Sequence, residues 1–263
     1  MSHSFEVTAG APGSPVVLHV PHSSTVIPDA ERARILLDDD DLAAELRAMT
    51  DAHTALVADR AALLAATTPW QFVNGLSRLV VDPERFTDPD LEEMEAVGMG
   101  AVYTATHDLR RLRDDDPHHR AELITRHFRP YADALADLVD ERLAATGRAV
   151  IIDVHSFPTG ALPYERHKDL RRPEICLGVD DEHTPDMVLR AARDAFASFD
   201  VGVDEPFIGT YVPTRHYGKD PRVSSIMIEI RRDIYLASDG EPMEAGVHAL
   251  AFALGRLIDA VDR

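Results

Sequence analysis

Short apolar runs, separated by longer segments of mixed character, dominate the hydrophobic pattern of this chain. The runs Val16–Val20, Ala149–Val154 and Ile226–Ile230 are rich in β-branched residues, which predicts buried strands. Shorter runs predict further strands at Phe72–Asn74, Leu79–Val81 and Ile175–Val179.

Segments with a helical pattern of apolar positions alternate with these runs. Strands that are continuous apolar runs and alternate with helices are typical of a parallel sheet covered on both faces. The pattern therefore predicts an α/β fold with a mainly parallel sheet. The predicted helices are Asp29–Leu37, Asp41–Arg60, Met99–Arg113, Arg120–Ala145, Pro185–Phe196 and Gly246–Ala260.

Composition narrows the class of protein. The length of 263 residues, 45% of them hydrophobic, fits a single α/β domain over residues 1–263. A formal net charge of −19 disfavours binding to nucleic acid or to an anionic membrane. The single cysteine, Cys176, excludes an intrachain disulfide. With no signal-peptide pattern and no membrane span in the sequence, we expect a cytoplasmic protein.

Two histidines follow predicted strands directly, His22 after the first strand and His155 after the strand at residues 149–154. The carboxyl ends of parallel strands meet at one edge of a sheet, so we expect these side chains to lie close together. A catalytic zinc ion has three protein ligands, usually histidines with a carboxylate, and one open position. The sequence leaves Asp51 and His53 as alternative candidates for the third ligand.

Glu229 lies between two isoleucines, in a run that otherwise has the character of core. A buried charge is costly unless it is paired or functional. A carboxylate in that setting is a candidate general base toward a water activated by zinc. The structural alternative is a buried ion pair with Arg231 or Arg232.

An ordered set of short motifs resembles the N-formylglutamate amidohydrolase family. No single motif is decisive, but the order of the whole set along the chain is specific. The motifs are His19-Val20-Pro21-His22-Ser23-Ser24, Thr50-Asp51, Asn74-Gly75-Leu76-Ser77-Arg78-Leu79-Val80-Val81-Asp82 with Arg85, Ile152-Asp153-Val154-His155-Ser156, Tyr211 to Gly218, and Ile228-Glu229-Ile230-Arg231.

The resemblance implies a fold similar to that of the zinc carboxypeptidases, with a mixed sheet and helices on both faces. It implies one zinc ion held by His22, Asp51 and His155. It assigns Glu229 as general base and proton shuttle. The implied reaction is hydrolysis of N-formyl-L-glutamate to formate and L-glutamate, a step of histidine degradation.

The resemblance also implies how a small anionic N-acyl amino acid would be bound. Arg78 would lie near the developing oxyanion or the substrate carboxylate. Asn74 and Arg85 would line the pocket, and Arg215 is the other candidate for carboxylate binding. The chain departs from the carboxypeptidase pattern at Thr25, where those enzymes carry a ligand glutamate three residues after the first histidine.

Other classes of protein fit the sequence less well. The chain has no Gly-x-Ser-x-Gly motif of a serine hydrolase and no glycine-rich nucleotide-binding motif. Two alternatives remain on the same fold. One is a metallopeptidase or amidase for another N-acyl amino acid or small peptide, and the other is a non-catalytic binding protein.

Overall fold

The computed structural model describes residues 4–166 and 168–263, and a sheet of seven strands runs through these residues. The strands are β1 (Phe5–Thr8), β2 (Val16–Val20), β3 (Trp70–Asn74), β4 (Ala149–Phe157), β5 (Ile175–Gly178), β6 (Val201–Val203) and β7 (Val223–Arg231). Their order across the sheet is β1-β3-β2-β4-β7-β5-β6. The neighbours β3, β2, β4 and β7 are parallel, whereas β1 is antiparallel to β3 and β5 is antiparallel to β7.

Helices pack on both faces of this sheet, and the predicted α/β class is confirmed. None of the helices described is long and apolar enough to span a membrane. A π-helical turn at Ile124–Phe128 joins α4 to α5. The helices are α1 (Asp29–Arg32), α2 (Asp39–Met49), α3 (Thr54–Leu64), α4 (Pro117–Leu123), α5 (Arg129–Thr146), α6 (Asp186–Ala195) and α7 (Glu244–Val261).

Alternation along the central strands divides their side chains between the two faces. Leu18, Ile152 and Ile228 are fully buried in the main apolar core, which α3, α6 and α7 cover. Val17 and Ile151 lie on the opposite face, in clusters with residues of α5. Every second residue of β2, β4 and β7 is thus free to carry polar side chains on the α5 face without entering the main core.

The single helix predicted over residues 41–60 is wrong, because the chain forms α2 and α3 with a turn between them. His53 adopts a left-handed φ of 63°, which a continuing helix does not allow. The backbone N–H of Asp51 donates to the carbonyl of His22 at 2.9 Å, and the Thr54 hydroxyl donates to the carbonyl of Asp51 at 2.8 Å. These bonds replace the helical ones and bring Asp51 next to His22.

Two other predicted elements are absent from the described residues. Leu79–Val81 is a buried turn, closed by a hydrogen bond from the Val80 N–H to the Ser77 carbonyl at 2.9 Å, so its apolar character reflects burial without strand pairing. The predicted helix at Met99–Arg113 is irregular, because Gly98 turns the chain with a φ of 74°. The edge strands β1 and β6 are short, and the sequence pattern does not predict them.

Candidate metal centre and active site

Three buried side chains converge near the carboxyl ends of β2 and β4. They belong to His22, Asp51 and His155. Nδ1 of His155 lies 3.2 Å from Nδ1 of His22 and 3.2 Å from Oδ2 of Asp51, and the His22–Asp51 distance between the same atoms is 3.7 Å. Tetrahedral ligands at about 2.0–2.1 Å from zinc are separated from one another by about 3.3 Å. The three atoms therefore have the mutual spacing of ligands to one divalent ion.

Different elements supply the three groups. His155 occupies β4, on the face opposite the core residue Val154. His22 follows the end of β2, and Asp51 lies in the turn between α2 and α3. The alternative ligand His53 is not part of the cluster, because its backbone forms the left-handed step of that turn.

The outer nitrogens of both imidazoles face carboxylates. Nε2 of His22 lies 2.9 Å from Asp82, and Nε2 of His155 lies 3.1 Å from Asp153 and 3.3 Å from Glu84. An ionised carboxylate only accepts hydrogen bonds, so Nε2 of His22 carries the proton that it donates to Asp82, and Nδ1 of His22 presents a lone pair to the cluster. Two imidazoles and a carboxylate that face one another at this spacing fit a cation, and carboxylates behind the histidines are typical of metal sites.

The protonation equilibria of the two histidines also favour positive charge in the cluster. Burial and the nearby Arg78 lower the pKa of His22, but Asp82 and Asp51 raise it above its ordinary value on balance. Burial likewise lowers the pKa of His155, yet its carboxylate neighbours raise that pKa well above the ordinary value. The surrounding carboxylates therefore attract either protons or a metal ion, which compete for the same nitrogens.

Asp51 is held in its ionised form. Burial raises the pKa of Asp51, but hydrogen bonds with His155 and His22 outweigh this effect and lower it below its ordinary value. The second carboxylate oxygen accepts a hydrogen bond from Arg232 at 3.2 Å. Because Arg232 also donates to the carbonyl of Ala48 at 2.8 Å, it ties Asp51 to the end of α2.

Glu229 is the cross-strand neighbour of His155, since the two are paired in the register of β7 and β4. Its side chain lies on the α5 face, while Ile228 and Ile230 enter the main core. Burial raises the pKa of Glu229 to about 7. One carboxylate oxygen, Oε2, is buried without a hydrogen-bond partner among the residues described. The group is therefore available for proton transfer inside the cavity.

The arginines that follow Glu229 have other partners. Arg231 donates to Asp233 at 2.7 Å, and Arg232 donates to Asp51 and to the Ser156 hydroxyl. Neither arginine donates a hydrogen bond to Glu229 within the part of the chain that the structure describes. The structural alternative, a buried ion pair between Glu229 and one of these arginines, is therefore not what the fold contains.

Arg78 and Arg85 both line the cavity but differ in how they are held. Arg78 donates to Asp82 at 2.7 Å and to the hydroxyl of Tyr103 at 3.0 Å, which fixes its guanidinium group. Nε of Arg85 lies 3.6 Å from Asp82 and has no hydrogen-bond partner among the described residues. Arg85 therefore retains donor capacity for an anionic ligand.

The cavity has a volume of about 520 Å³, within the usual range of about 300–1,000 Å³ for small-molecule sites. The side chains of His22, Asp51 and His155 lie in its wall, together with Glu229. An apolar part of the wall includes Met49, Met94, Phe128, Leu162, Phe207 and Ile208.

Asn74 is not among the described residues that line the cavity. Its amide donates to the carbonyl of Pro21 at 2.8 Å and accepts from the N–H of Leu76 at 3.1 Å. Both bonds are made to the backbone. Asn74 therefore braces the loop that leads into His22.

Arg215 lies apart from the other predicted site residues. Its guanidinium group pairs with Asp137 and Asp140 of α5, each at 2.6 Å, and 41% of the side chain is exposed. It does not line the cavity among the residues described, although its neighbour Thr214 does. The structure therefore does not bring Arg215 to the cluster, and its two carboxylate partners satisfy its charge.

Several site residues were not assigned a role from the sequence. Asp153 lies two residues before His155, and this spacing places both on one face of β4, a signal that the pattern contains. Asp82 and Glu84 follow a turn whose path the sequence does not reveal. The hydroxyl of Tyr103 donates to Asp82 at 2.5 Å from a segment that was predicted as helix.

An α/β fold in which two histidines and a carboxylate cluster beside a buried glutamate is compatible with one class of protein, the hydrolases with a metal-binding active site. The chain belongs to the N-formylglutamate amidohydrolase family, whose model matches residues 14–236. It is therefore an amidohydrolase. A search among curated proteins found no match to the sequence.

The solved structures that resemble almost the whole chain include the following two. The N-formylglutamate amidohydrolase from Ralstonia eutropha JMP134 is 21% identical, with a TM-score of 0.81 over 98% of this chain and 97% of its own. A gene product from Agrobacterium tumefaciens is also 21% identical, with a TM-score of 0.71 over 99% of this chain and 95% of its own. At 21% sequence identity, the similarity to these two structures establishes the fold alone.

Proposed function

We propose that the protein is a zinc-dependent hydrolase that cleaves the amide bond of a small anionic N-acyl amino acid. N-formyl-L-glutamate, cleaved to formate and L-glutamate, is the first candidate substrate. The observation that carries the proposal is the cluster of His22, Asp51 and His155 beside Glu229 in the wall of one cavity. Membership of an amidohydrolase family supports an amide as the bond that is cleaved.

The donor set fits zinc and also accommodates manganese, cobalt or iron. A divalent ion bound there supplies Lewis acidity, which polarises a carbonyl group and makes water more acidic. His22 and His155 would hold it through Nδ1, because carboxylates occupy the Nε2 side of both rings. Asp51 would supply the oxygen ligand, oriented by Arg232.

Glu229 acts as the general base in this proposal. Its carboxylate takes a proton from the water that attacks the amide carbonyl. The same group then returns the proton to the amine nitrogen as the C–N bond breaks. A pKa of about 7 suits both steps near neutral pH, because the group can accept and release a proton there.

The two cavity arginines take different roles. Arg78 is fixed by Asp82 and Tyr103, so it can stabilise the negative charge that develops on the carbonyl oxygen without reorganising. Arg85 has an unpartnered donor among the described residues and binds the substrate carboxylate. We assign no substrate contact to Asn74 or Arg215.

The apolar part of the cavity wall favours a second candidate substrate for the same hydrolytic reaction. A formyl group offers little surface for Met49, Met94 and Phe128 to bury. A larger acyl group or an apolar amino-acid side chain would use that surface. Another N-acyl amino acid or a small peptide is therefore the alternative substrate.

The experiment is a determination of metal content by elemental analysis, followed by an amine-release assay on the same sample. The assay compares N-formyl-L-glutamate with N-formyl and N-acetyl derivatives of apolar amino acids. We expect about one zinc per chain, bound at the proposed site by two histidines and a carboxylate, and release from N-formyl-L-glutamate. Release only from the other compounds would support the second candidate. A protein that takes up no divalent ion and cleaves none of these amides would contradict the proposal.

A further inference from the structure

His19 is a fully buried polar residue in β2 that the proposed reaction does not use. It is paired in register with Asp153 of β4, and its Nδ1 lies 2.9 Å from that carboxylate. On the other side of the ring, Nε2 lies 2.5 Å from the hydroxyl of Tyr131 in α5. The imidazole therefore connects a helix on the sheet face to a carboxylate within the sheet.

The direction of these contacts follows from what each group can donate. Asp153 only accepts, so Nδ1 of His19 carries the proton, and Nε2 accepts the hydrogen bond of the Tyr131 hydroxyl. The other oxygen of Asp153 lies 3.1 Å from Nε2 of His155. A single line of contacts therefore runs from Tyr131 through His19 and Asp153 to His155.

The other histidine of the metal cluster has a comparable but shorter arrangement. Asp82, behind His22, accepts from the hydroxyl of Tyr103 at 2.5 Å and from Arg78 at 2.7 Å. In both cases a buried tyrosine ends the chain of contacts. The carboxylate behind each histidine is thus itself held from a second side.

The surroundings of His19 and Tyr131 make their burial costly in free energy if their role is purely structural. Beside Tyr131 the sheet face is apolar, with Val17, Phe72 and Leu135 packed in the same cluster, whereas Glu84 lies 3.5 Å from Nδ1 of His19 on the cavity side. Polar groups buried there lose hydration, and they are tolerated only when their hydrogen bonds are made. Apolar residues of similar size would fill the same space without that requirement.

We propose that His19 and Tyr131 are positioning residues that act through Asp153 to hold His155 in the tautomer and orientation that bind the metal. This inference rests on the proposed metal centre. His19 fixes one oxygen of Asp153, which keeps the other oxygen close to Nε2 of His155, at 3.1 Å. The Nδ1 lone pair of His155 then stays directed at the metal position.

The test measures zinc affinity by chelator competition for the full-length protein and for His19→Leu, His19→Asn and Tyr131→Phe. Loss of such a supporting contact typically lowers metal affinity about 10–100-fold, and we expect that range for His19→Leu. Tyr131→Phe should lower the affinity by a smaller factor. His19→Asn should restore part of the loss, because its amide N–H can replace Nδ1 as the donor to Asp153.

His183→Gln is the matched control, because His183 is a buried histidine with its own hydrogen bonds to backbone atoms of Val223 and Gly218. It should lower the melting temperature of the metal-free protein without changing zinc affinity. The spectrum of the cobalt-substituted protein gives a second readout, and it should change in His19→Leu but not in the control.

Two outcomes would overturn the inference. Zinc affinity within twofold of wild type in both His19→Leu and Tyr131→Phe would exclude the positioning role of His19 and Tyr131, while the proposed metal centre would stand. An equal loss of affinity in His183→Gln would show general loosening of the fold. If the wild-type protein binds no divalent ion, the proposed function itself is wrong, and the positioning role of His19 and Tyr131 is wrong with it.

Discussion

Glu229 occupies an alternating position in β7, so its carboxyl group faces the cavity while the isoleucines on either side face the core. Its replacement by Gln keeps the shape and removes the base. We expect Glu229→Gln to retain the metal and to lose about 10²–10⁴-fold in kcat, the usual contribution of a general base. Steady-state kinetics with elemental analysis on the same sample checks this.

Glu241→Gln is the control for Glu229→Gln, because Glu241 is exposed on a turn and should tolerate the same change without effect. Turnover within a few-fold of wild type in Glu229→Gln would exclude Glu229 as the base. Loss of metal in that variant would instead give the carboxylate a role in holding the ion.

The raised pKa of Glu229 predicts an acid limb in the pH profile of kcat/KM. The base works only when ionised, so activity falls as pH decreases through its pKa. Burial sets that pKa at about 7, and a nearby divalent ion, which favours the ionised form, would move it down. We expect the limb below about pH 7 and above the ordinary glutamate value of about 4.3. A rate that stays flat from pH 8 to pH 4 would contradict this assignment.

At the residue scale, the sequence predicts the groups that lie at or beside strands. His22, His155 and Glu229 stand out because polar residues interrupt or end apolar runs. Asp153 and His19 are both visible in the sequence as polar residues of apolar runs, but their pairing is not, because cross-strand register is a three-dimensional property. The family resemblance left Arg215 as the alternative to Arg78 for carboxylate binding, and only the fold shows that two carboxylates of α5 pair with Arg215.

At the scale of elements, the break between α2 and α3 creates the third ligand position. The helical periodicity continues through residues 50–53, so the pattern predicted one helix and left Asp51 and His53 as equal alternatives. The backbone bond from Asp51 to His22 is a long-range contact that no local pattern encodes. The central strands were predicted correctly because burial on both faces makes their apolar runs continuous.

The left-handed conformation of His53 gives a test of this turn. Glycine adopts a φ of 63° without strain, whereas a β-branched residue does not. We expect His53→Gly to leave the free energy of unfolding nearly unchanged and His53→Val to lower it by about 1–3 kcal/mol. Urea denaturation of both variants checks the difference. Equal stability of the two would show that the turn relaxes.

His53→Gly, compared with Asp51→Asn, decides between the two candidate ligands. His53→Gly should retain zinc affinity, because Asp51 supplies the oxygen ligand and the glycine preserves the turn. Asp51→Asn should lower that affinity, since a neutral amide is a poorer ligand and leaves Arg232 without its ionic partner. A large loss of zinc in His53→Gly would instead favour His53 as a ligand.

At the scale of the whole molecule, the proposed metal centre joins segments that are distant in sequence. His22, Asp51 and His155 come from three parts of the chain, and the native fold alone assembles them. A ligand that binds only the native state stabilises it by mass action, by about 4 kcal/mol at a thousandfold excess over Kd. The stability of the metal-free protein must therefore come from the sheet and its two covered faces.

This argument predicts the effect of metal removal. Chelation should lower the melting temperature of the wild-type protein by roughly 10 °C, taking about 2–4 °C per kcal/mol for a chain of this size, and added zinc should restore it. His155→Ala should melt at nearly the same temperature with and without zinc, since the cluster has lost a ligand. Differential scanning calorimetry with and without zinc measures each protein against its own metal-free form, so that any loss from the substitution itself cancels. A full zinc-dependent rise in His155→Ala would place the ion elsewhere, whereas no rise in the wild type would mean that the carboxylates around the histidines attract protons alone.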